Sequence, residues 1–275
     1  MTGIVDAGGG MRGIFSAGIY DRFIEEGINF DVCIGVSAGS ANLISYVAGH
    51  HDRLRRFYIN YARRKQYMSF DNLIHSGSYI GLDYIYSTLS NADGEDPLNY
   101  DAYIESPTDF ITVVTDGESG KPVYFPKDSI KRDDLTVIKA SCCLPAICKP
   151  VVIDGRDSFD KAFDMGCDKV VVVISKPVDY RKSPQKHMPI IKAALSKYPK
   201  VFDRIAIRHE VYNRQLEQAI KLQEEGKIII LAPQDCHGVN TLTREPDSLE
   251  KLYEEGRRCA DAHLDEIKSP GERTA

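Results

Sequence analysis

The sequence predicts an α/β fold in three layers, with a mostly parallel central sheet between two layers of helices. Three observations carry this expectation. Short apolar runs alternate with longer amphipathic stretches along the whole chain, the pattern of a sheet whose crossovers are helices. Two glycine-rich turns, residues 8–13 and 35–39, each join an apolar run directly to a helical stretch. No internal repeat or low-complexity linker divides the 275 residues. One domain over residues 1–267, followed by a polar tail at 268–275, is therefore expected.

The elements follow in order. Residues 3–7 read as the first strand and 14–27 as the first helix. Val32-Cys33-Ile34 is a second strand, and residues 40–49 have helical character. Strands at 110–115 and 122–125 frame Asp116-Gly117 as a hairpin-like turn. A helix is expected over 129–140, leading to Leu144-Pro145. A strand follows at 168–174, then a long charged helix with an apolar stripe at 201–225. A late strand at 227–231 and a terminal helix at 248–267 complete the chain.

The chemistry begins at Gly35-Val36-Ser37-Ala38-Gly39. Strand, G-x-S-x-G, helix is the setting of a nucleophile elbow, in which a serine sits on a sharp turn with its hydroxyl exposed. Gly35 and Gly39 would relieve the clash between strand and helix backbones. The helix N-terminus directs partial positive charge at the site. A small-residue turn with an N-capping serine fits the same five residues. Gly8-Gly9-Gly10-Met11-Arg12-Gly13 also matches G-x-G-x-x-G. A dinucleotide site would need an acidic residue at the end of the second strand. That strand instead runs through Ile34-Gly35 into Ser37, with Asp31 at its beginning. The other use of such a loop is to aim backbone N–H groups at an anion, which beside a serine nucleophile is the oxyanion of a tetrahedral intermediate.

The partner of Ser37 is less plain. Only 36 residues precede it, too few for the strands that a standard α/β-hydrolase builds before its elbow. None of the seven histidines, at 50, 51, 75, 187, 209, 237 and 263, lies in a context resembling a triad loop. A serine with a different base is expected.

At these residues the chain resembles the patatin-like acyl hydrolases, especially the bacterial patatin-like phospholipases. The resemblance rests on the glycine loop, the elbow, Lys139-Ala140-Ser141-Cys142-Cys143-Leu144-Pro145-Ala146, and Lys149-Pro150-Val151-Val152-Ile153-Asp154-Gly155. The strand at 168–174 and the stretch around Glu225-Gly226-Lys227-Ile228-Ile229-Ile230 add to it. It covers nearly the whole chain, with the motifs in the family's order. It implies a patatin-like fold, a Ser-Asp dyad, and an oxyanion hole from Gly8, Gly9, Gly10, Met11 and Arg12. It further implies cleavage of phospholipid or lysophospholipid acyl esters without metal or cofactor. One departure stands out. The family takes its aspartate from Asp-Gly-Gly or Asp-Gly-Ala in the loop after Asp154-Gly155, and neither occurs here. Counting forward, Asp160 falls at the catalytic position with Lys161 in place of the glycine. Counting back from Asp168, Asp160-Lys161-Ala162 opens the next helix, and Asp160 is an N-cap. The chain is thus a serine esterase using Ser37 and Asp160, or a patatin-fold lipid-binding protein with impaired catalysis.

Composition sets the remaining bounds. A net charge of −5 argues against a nucleic-acid partner. No apolar run is long enough to span a bilayer, and the N-terminus has no secretory signal pattern. Seven cysteines in apolar neighbourhoods suit a reducing, cytoplasmic setting. Cys142, Cys143 and Cys148 lack metal-ligand spacing. Between 53 and 93, Arg53, Arg55, Arg56, Arg63, Arg64 and Lys65 are interleaved with aromatics. They read as a solvated basic helix capping the sheet, or as a surface for transient contact with anionic lipid. Residues 79–86 would line an acyl pocket or form an amphipathic core helix.

Overall fold

The computed structural model describes residues 1–143, 148 and 158–269. Strand β1 (Thr2–Asp6) leads through a 3-10 turn (Gly10–Gly13) into α1 (Ile14–Glu25). Strand β2 (Val32–Val36) leads into α2 (Ala38–Val47). The next stretch is irregular. The short α3 (Arg53–Arg55) continues as a π turn (Arg56–Asn60). It is followed by α4 (Phe70–Ser76), a second π turn (Tyr84–Thr88) and α5 (Tyr100–Glu105). Then come the hairpin β3 (Asp109–Thr115) and β4 (Pro122–Pro126), α6 (Thr136–Cys142), α7 (Ser158–Asp164) and β5 (Lys169–Val173). The chain continues with α8 (Met188–Ala194), α9 (Pro199–Glu224), β6 (Ile228–Leu231) and α10 (Pro246–Lys268).

The strands form one sheet in the order β4-β3-β2-β1-β5-β6, parallel except for the β3–β4 hairpin. Asp6 is level with Gly35 on β2 and Val173 on β5, and Gly35 with Thr112 on β3. The turns that leave β1, β2 and β5 therefore open at one sheet edge. The chain moves outward from β1 in both directions, to β2 and to β5. This is a topological switch point, where open α/β sheets form their crevice.

Helices cover both faces. Side chains of α1, α2 and α10 enter one core with Ile4 and Cys33, while Ala162 of α7 and Leu216 and Ala219 of α9 enter the other with Val5 and Ile34. Strands buried on both faces explain the near-continuous apolar runs. Helices α1 and α10 pack almost backbone to backbone. A Cβ on Gly18 would lie 2.1 Å from Tyr253 O, and one on Gly256 2.0 Å from Phe15 O. Side chains seal the contact: Tyr253 OH donates to Asp21 Oδ2 at 2.7 Å, and Arg257 makes a two-pronged contact with Glu25 at 2.8 and 2.9 Å.

Some sequence boundaries move. The helix expected over 129–140 begins only at Thr136. Asp133 takes a left-handed φ of 58°, and the Asp134 carboxylate accepts the Thr136 N–H at 3.0 Å. Local aspartate–backbone bonding thus makes a turn where helical periodicity continued. The last two long helices start about two residues earlier than expected, because Pro199 and Pro246 suit a first turn that needs no donor. The basic stretch from residue 53 is not solvated throughout: Arg63 and Lys65 are exposed, whereas Arg53 is 5% exposed and its guanidinium donates to Ser45 Oγ, Ser90 Oγ and Asp96 O.

Candidate active site

The β2–α2 junction consists of one residue. Val36 ends the strand, Ala38 begins the helix, and Ser37 between them has φ 79° and ψ −125°. A non-glycine residue in this region is strained and persists only where its surroundings hold it. Gly35 and Gly39 make the turn possible: a Cβ on Gly35 would lie 2.4 Å from Ser40 Cα, and one on Gly39 2.4 Å from Asp6 O. Ser141 of α6 holds the turn in place. Its hydroxyl accepts the Ser37 N–H at 2.9 Å and donates to Val113 O at 2.8 Å. With its one proton committed to Val113, Ser141 must accept from Ser40 Oγ at 3.1 Å. The Ser37 side chain is part-exposed, and its Oγ has no hydrogen-bond partner among the described residues.

The glycine loop lies against this elbow. Gly8, Gly9 and Gly10 have φ of 69°, 154° and 61°. A Cβ on Gly8 would lie 2.2 Å from Val36 O and 3.2 Å from Ser37 Cβ. Three bonds fix the loop. Gly8 N–H donates to Asp6 Oδ1 at 2.8 Å, Ser175 Oγ donates to Gly8 O at 2.7 Å, and Met11 N–H donates to Thr241 O at 3.1 Å. The amides of Gly8 and Met11 are therefore engaged. Those of Gly9, Gly10 and Ala38 have no partner among the described residues. The Arg12 side chain runs to Thr241, where Nη1 donates to Oγ1 at 3.3 Å.

Asp6 anchors this arrangement. It is buried at the end of β1, and Tyr20 OH donates to its Oδ2 at 2.9 Å. Burial pushes its carboxyl above the usual carboxylate range, opposed by hydrogen bonds that include the Gly8 amide and the Tyr20 hydroxyl. It shapes the loop from beneath.

A cavity of about 60 Å³ opens beside Ser37, between Met11 and a wall of Tyr58, Met68, Ile80, Leu82, Ile85 and Tyr86. Its lining is mostly apolar, and from the segment 79–86 it takes Ile80, Leu82, Ile85 and Tyr86. Cys142 borders it with Tyr86 OH at 3.1 Å. Burial pushes the Cys142 thiol up to about 12, so it is no thiolate nucleophile at neutral pH. No histidine among the described residues bonds Ser37. His50 accepts the Asn99 N–H at 2.8 Å, and burial lowers its pKa to about 4. His237 pairs with Glu255. No group of three or more metal-ligating side chains occurs among the described residues.

Asp160 lies in the first turn of α7 and is exposed. Helix α7 covers the sheet face opposite α2. No hydrogen bond joins Asp160 to Ser37. Residues 149–157, which lead into α7 and include Asp154 and Gly155, lie outside the described residues. The structure thus brings together Ser37, Gly35, Gly39 and the glycine loop, while Asp160 lies in the first turn of α7, next to residues outside the described ones. The residues missed in the sequence are Ser141, Asp6, Ser175, Thr241 and the Ala38 amide. Ser141 is 104 positions from Ser37, and although it lies in the 139–146 motif, nothing in that motif ties its hydroxyl to the elbow. Asp6, separated from the three glycines only by Ala7, is the one with a readable signal.

Residues 4–168 match the family model described as patatin-like phospholipase, and residues 198–269 match a domain of unknown function, DUF6363. The uncharacterized protein YjjU of Escherichia coli (strain K12) is 27% identical over 276 residues, covering 93% of this chain and 75% of that protein. The crystal structure of VipD from Legionella pneumophila aligns with 14% identity and a TM-score of 0.47, covering 97% of this chain and 67% of that one. The first family match contains both glycine turns and every residue of the elbow.

Proposed function

Because the chain belongs to the patatin-like phospholipase family, a family of lipid acyl hydrolases, we propose that Ser37 is the nucleophile of a serine esterase acting on phospholipid or lysophospholipid acyl esters. The observation that carries this reading is the strained elbow, which presents an unengaged Ser37 Oγ beside unengaged backbone amides. In the reaction, Ser37 Oγ attacks the ester carbonyl. The amides of Gly9, Gly10 and Ala38 receive the oxyanion, a contribution of roughly 10²–10³ in rate per donor. The alcohol leaves with a proton, and water then releases the fatty acid from the acyl-serine. The apolar cavity beside Ser37 takes the acyl chain.

The base is the contribution assigned to Asp160, as the carboxylate at the family's dyad count. An aspartate has a pKa near 4 in water, so it must be placed within roughly 2.6–3.2 Å of Oγ to be effective. A second reading, a patatin-fold lipid-binding protein with impaired catalysis, is favoured by the lack of an Asp-Gly-Gly or Asp-Gly-Ala motif after Asp154-Gly155.

Contact with a membrane surface is part of the proposal. Helix α4 exposes Phe70 and Ile74 by 74% and 76%, between Met68 and Ile80 of the cavity wall. These side chains would enter the lipid interface at the cavity mouth. Among the described residues no helix is long and apolar enough to cross a membrane. The seven cysteines, six of them buried, suit a reducing compartment, and we propose a cytoplasmic location. Residues 1–267 are read as one domain, because β6 extends the sheet and α10 packs on α1. The test of the nucleophile is intact-mass analysis after treatment with a fluorophosphonate. One adduct on the wild-type chain, absent in Ser37→Ala, is expected; an equal adduct on both overturns the assignment.

A further inference from the structure

Next to the glycine loop lies a group of cations that the reaction above does not use. A Cβ on Gly9 would lie 2.1 Å from Ser175 Oγ and 3.5 Å from Arg12 Cβ. Gly10 and Met11 line the apolar cavity, and Arg12 Nη1 reaches Thr241 Oγ1 at its rim, at 3.3 Å. Lys176 follows Ser175, and its Nζ sits 4.8 Å over the Tyr180 ring. Tyr180 meets Tyr212 edge-on at 6.1 Å, and Lys182 Nζ sits 5.3 Å over Tyr212. Asn213 clamps the Lys182 backbone in both directions, at 2.8 and 3.1 Å. Arg208 is one helical turn before Tyr212 on α9 and so shares its face.

None of these four cations has a carboxylate partner among the described residues. By contrast, Arg22, Arg55, Arg56, Arg64 and Arg257 are all ion-paired. In a chain with 40 acidic residues against 35 basic ones, leaving several cations together without an acid is informative. Arg12 Nε is buried and has no hydrogen-bond partner among the described residues, and a buried guanidinium N–H calls for an acceptor. The Lys182 ammonium is lowered to about 8, first by burial and then by Arg208, Arg12 and Lys176. A bound anion would relieve both effects.

We propose that Arg12, Lys176, Lys182 and Arg208 form a binding site for a phosphate group, supplied by the headgroup of the lipid whose ester lies at Ser37. The lipid as source rests on the hydrolase reading, whereas the phosphate site stands on the unpaired cations. A glycerophospholipid carries its acyl chain and its phosphate on opposite sides of the ester. The glycine loop touches both: Gly10 and Met11 line the apolar cavity, and Arg12 belongs to the cation group.

The test is direct binding, independent of turnover. Inorganic phosphate and a short-chain phosphatidylglycerol are titrated at constant ionic strength into the full chain, Lys176→Gln/Lys182→Gln, Arg208→Gln and Lys182→Arg. The double variant should weaken both ligands about tenfold or more, Arg208→Gln should weaken both, and Lys182→Arg should retain most affinity. Phosphate should also compete with the lipid. Unchanged phosphate affinity in the double variant, with an unaltered thermal midpoint, overturns the site. Phosphate binding that is lost while lipid binding persists overturns the headgroup assignment. A chain without esterase activity that keeps competitive, lysine-dependent binding would sink the hydrolase reading and leave the phosphate site standing.

Discussion

Ser37 shows how one residue can carry the chemistry and the strain together. Its left-handed φ is tolerated because Ser141, Gly35 and Gly39 leave the turn no alternative. Gly35→Ala would place a methyl 2.4 Å from the Ser40 backbone. We expect a loss of at least about 1–3 kcal/mol in urea unfolding, accompanied by loss of activity; an unchanged midpoint would contradict the described elbow. At Asp160 the helix role and the base role separate cleanly. If Asp160 is the base, Asp160→Asn should lower kcat about 10²–10⁴-fold. If it only opens α7, the asparagine variant should keep its activity, since Asn also suits helix starts. A chain carrying an inserted Asp-Gly-Gly loop between Phe159 and Lys161 should then exceed the natural sequence in kcat. Equal kcat for the natural and inserted chains would rule out a missing base loop.

At the scale of elements, α6 and α10 contribute most. Ser141 links α6 to the elbow and to β3 through three hydrogen bonds. Ser141→Ala leaves the Ser37 amide and Val113 O without that partner, at a cost of about 1–3 kcal/mol. It should reduce kcat more than it raises KM, because it disturbs the nucleophile and leaves the cavity intact; the reverse pattern in steady-state kinetics would count against this role. Helix α10 is tied to α1 through Glu25, whose carboxyl is lowered to about 2, chiefly by Arg257 with help from His51 and Arg22. A depressed carboxyl stabilises the fold fully above its unfolded value of about 4.5, and this is lost as pH falls toward 2. The pairs are partly exposed, so the effect should be about 1 kcal/mol or less. The difference in thermal midpoint between wild type and Glu25→Gln should shrink between pH 5 and pH 3, and a difference constant over that range would contradict the linkage.

At the scale of the molecule, what was legible in the sequence was what is encoded locally. The strands buried on both faces were readable as apolar runs, and the elbow and glycine loop as residue patterns with a required context. Contacts between distant residues were not readable. Gly18 and Gly256 look like weak points in helices, and only the packed pair explains them. Arg53 looked solvated, but the chain folds it against Asp96 and two serine hydroxyls. The cation group beyond the loop joins residues from three regions of the chain, so no window of sequence shows it. The same limit applies to the site: the proposed nucleophile and oxyanion donors lie in short motifs, whereas the elbow's support comes from 104 residues away.

The central claim is that this elbow performs ester hydrolysis through Ser37. Fatty-acid release from short-chain phospholipid micelles by wild type and Ser37→Ala, both purified and folded, tests it most directly. The account predicts measurable release by the wild-type chain and a fall to background in the variant, with thermal midpoints that agree closely. Equal release by the two proteins would contradict it.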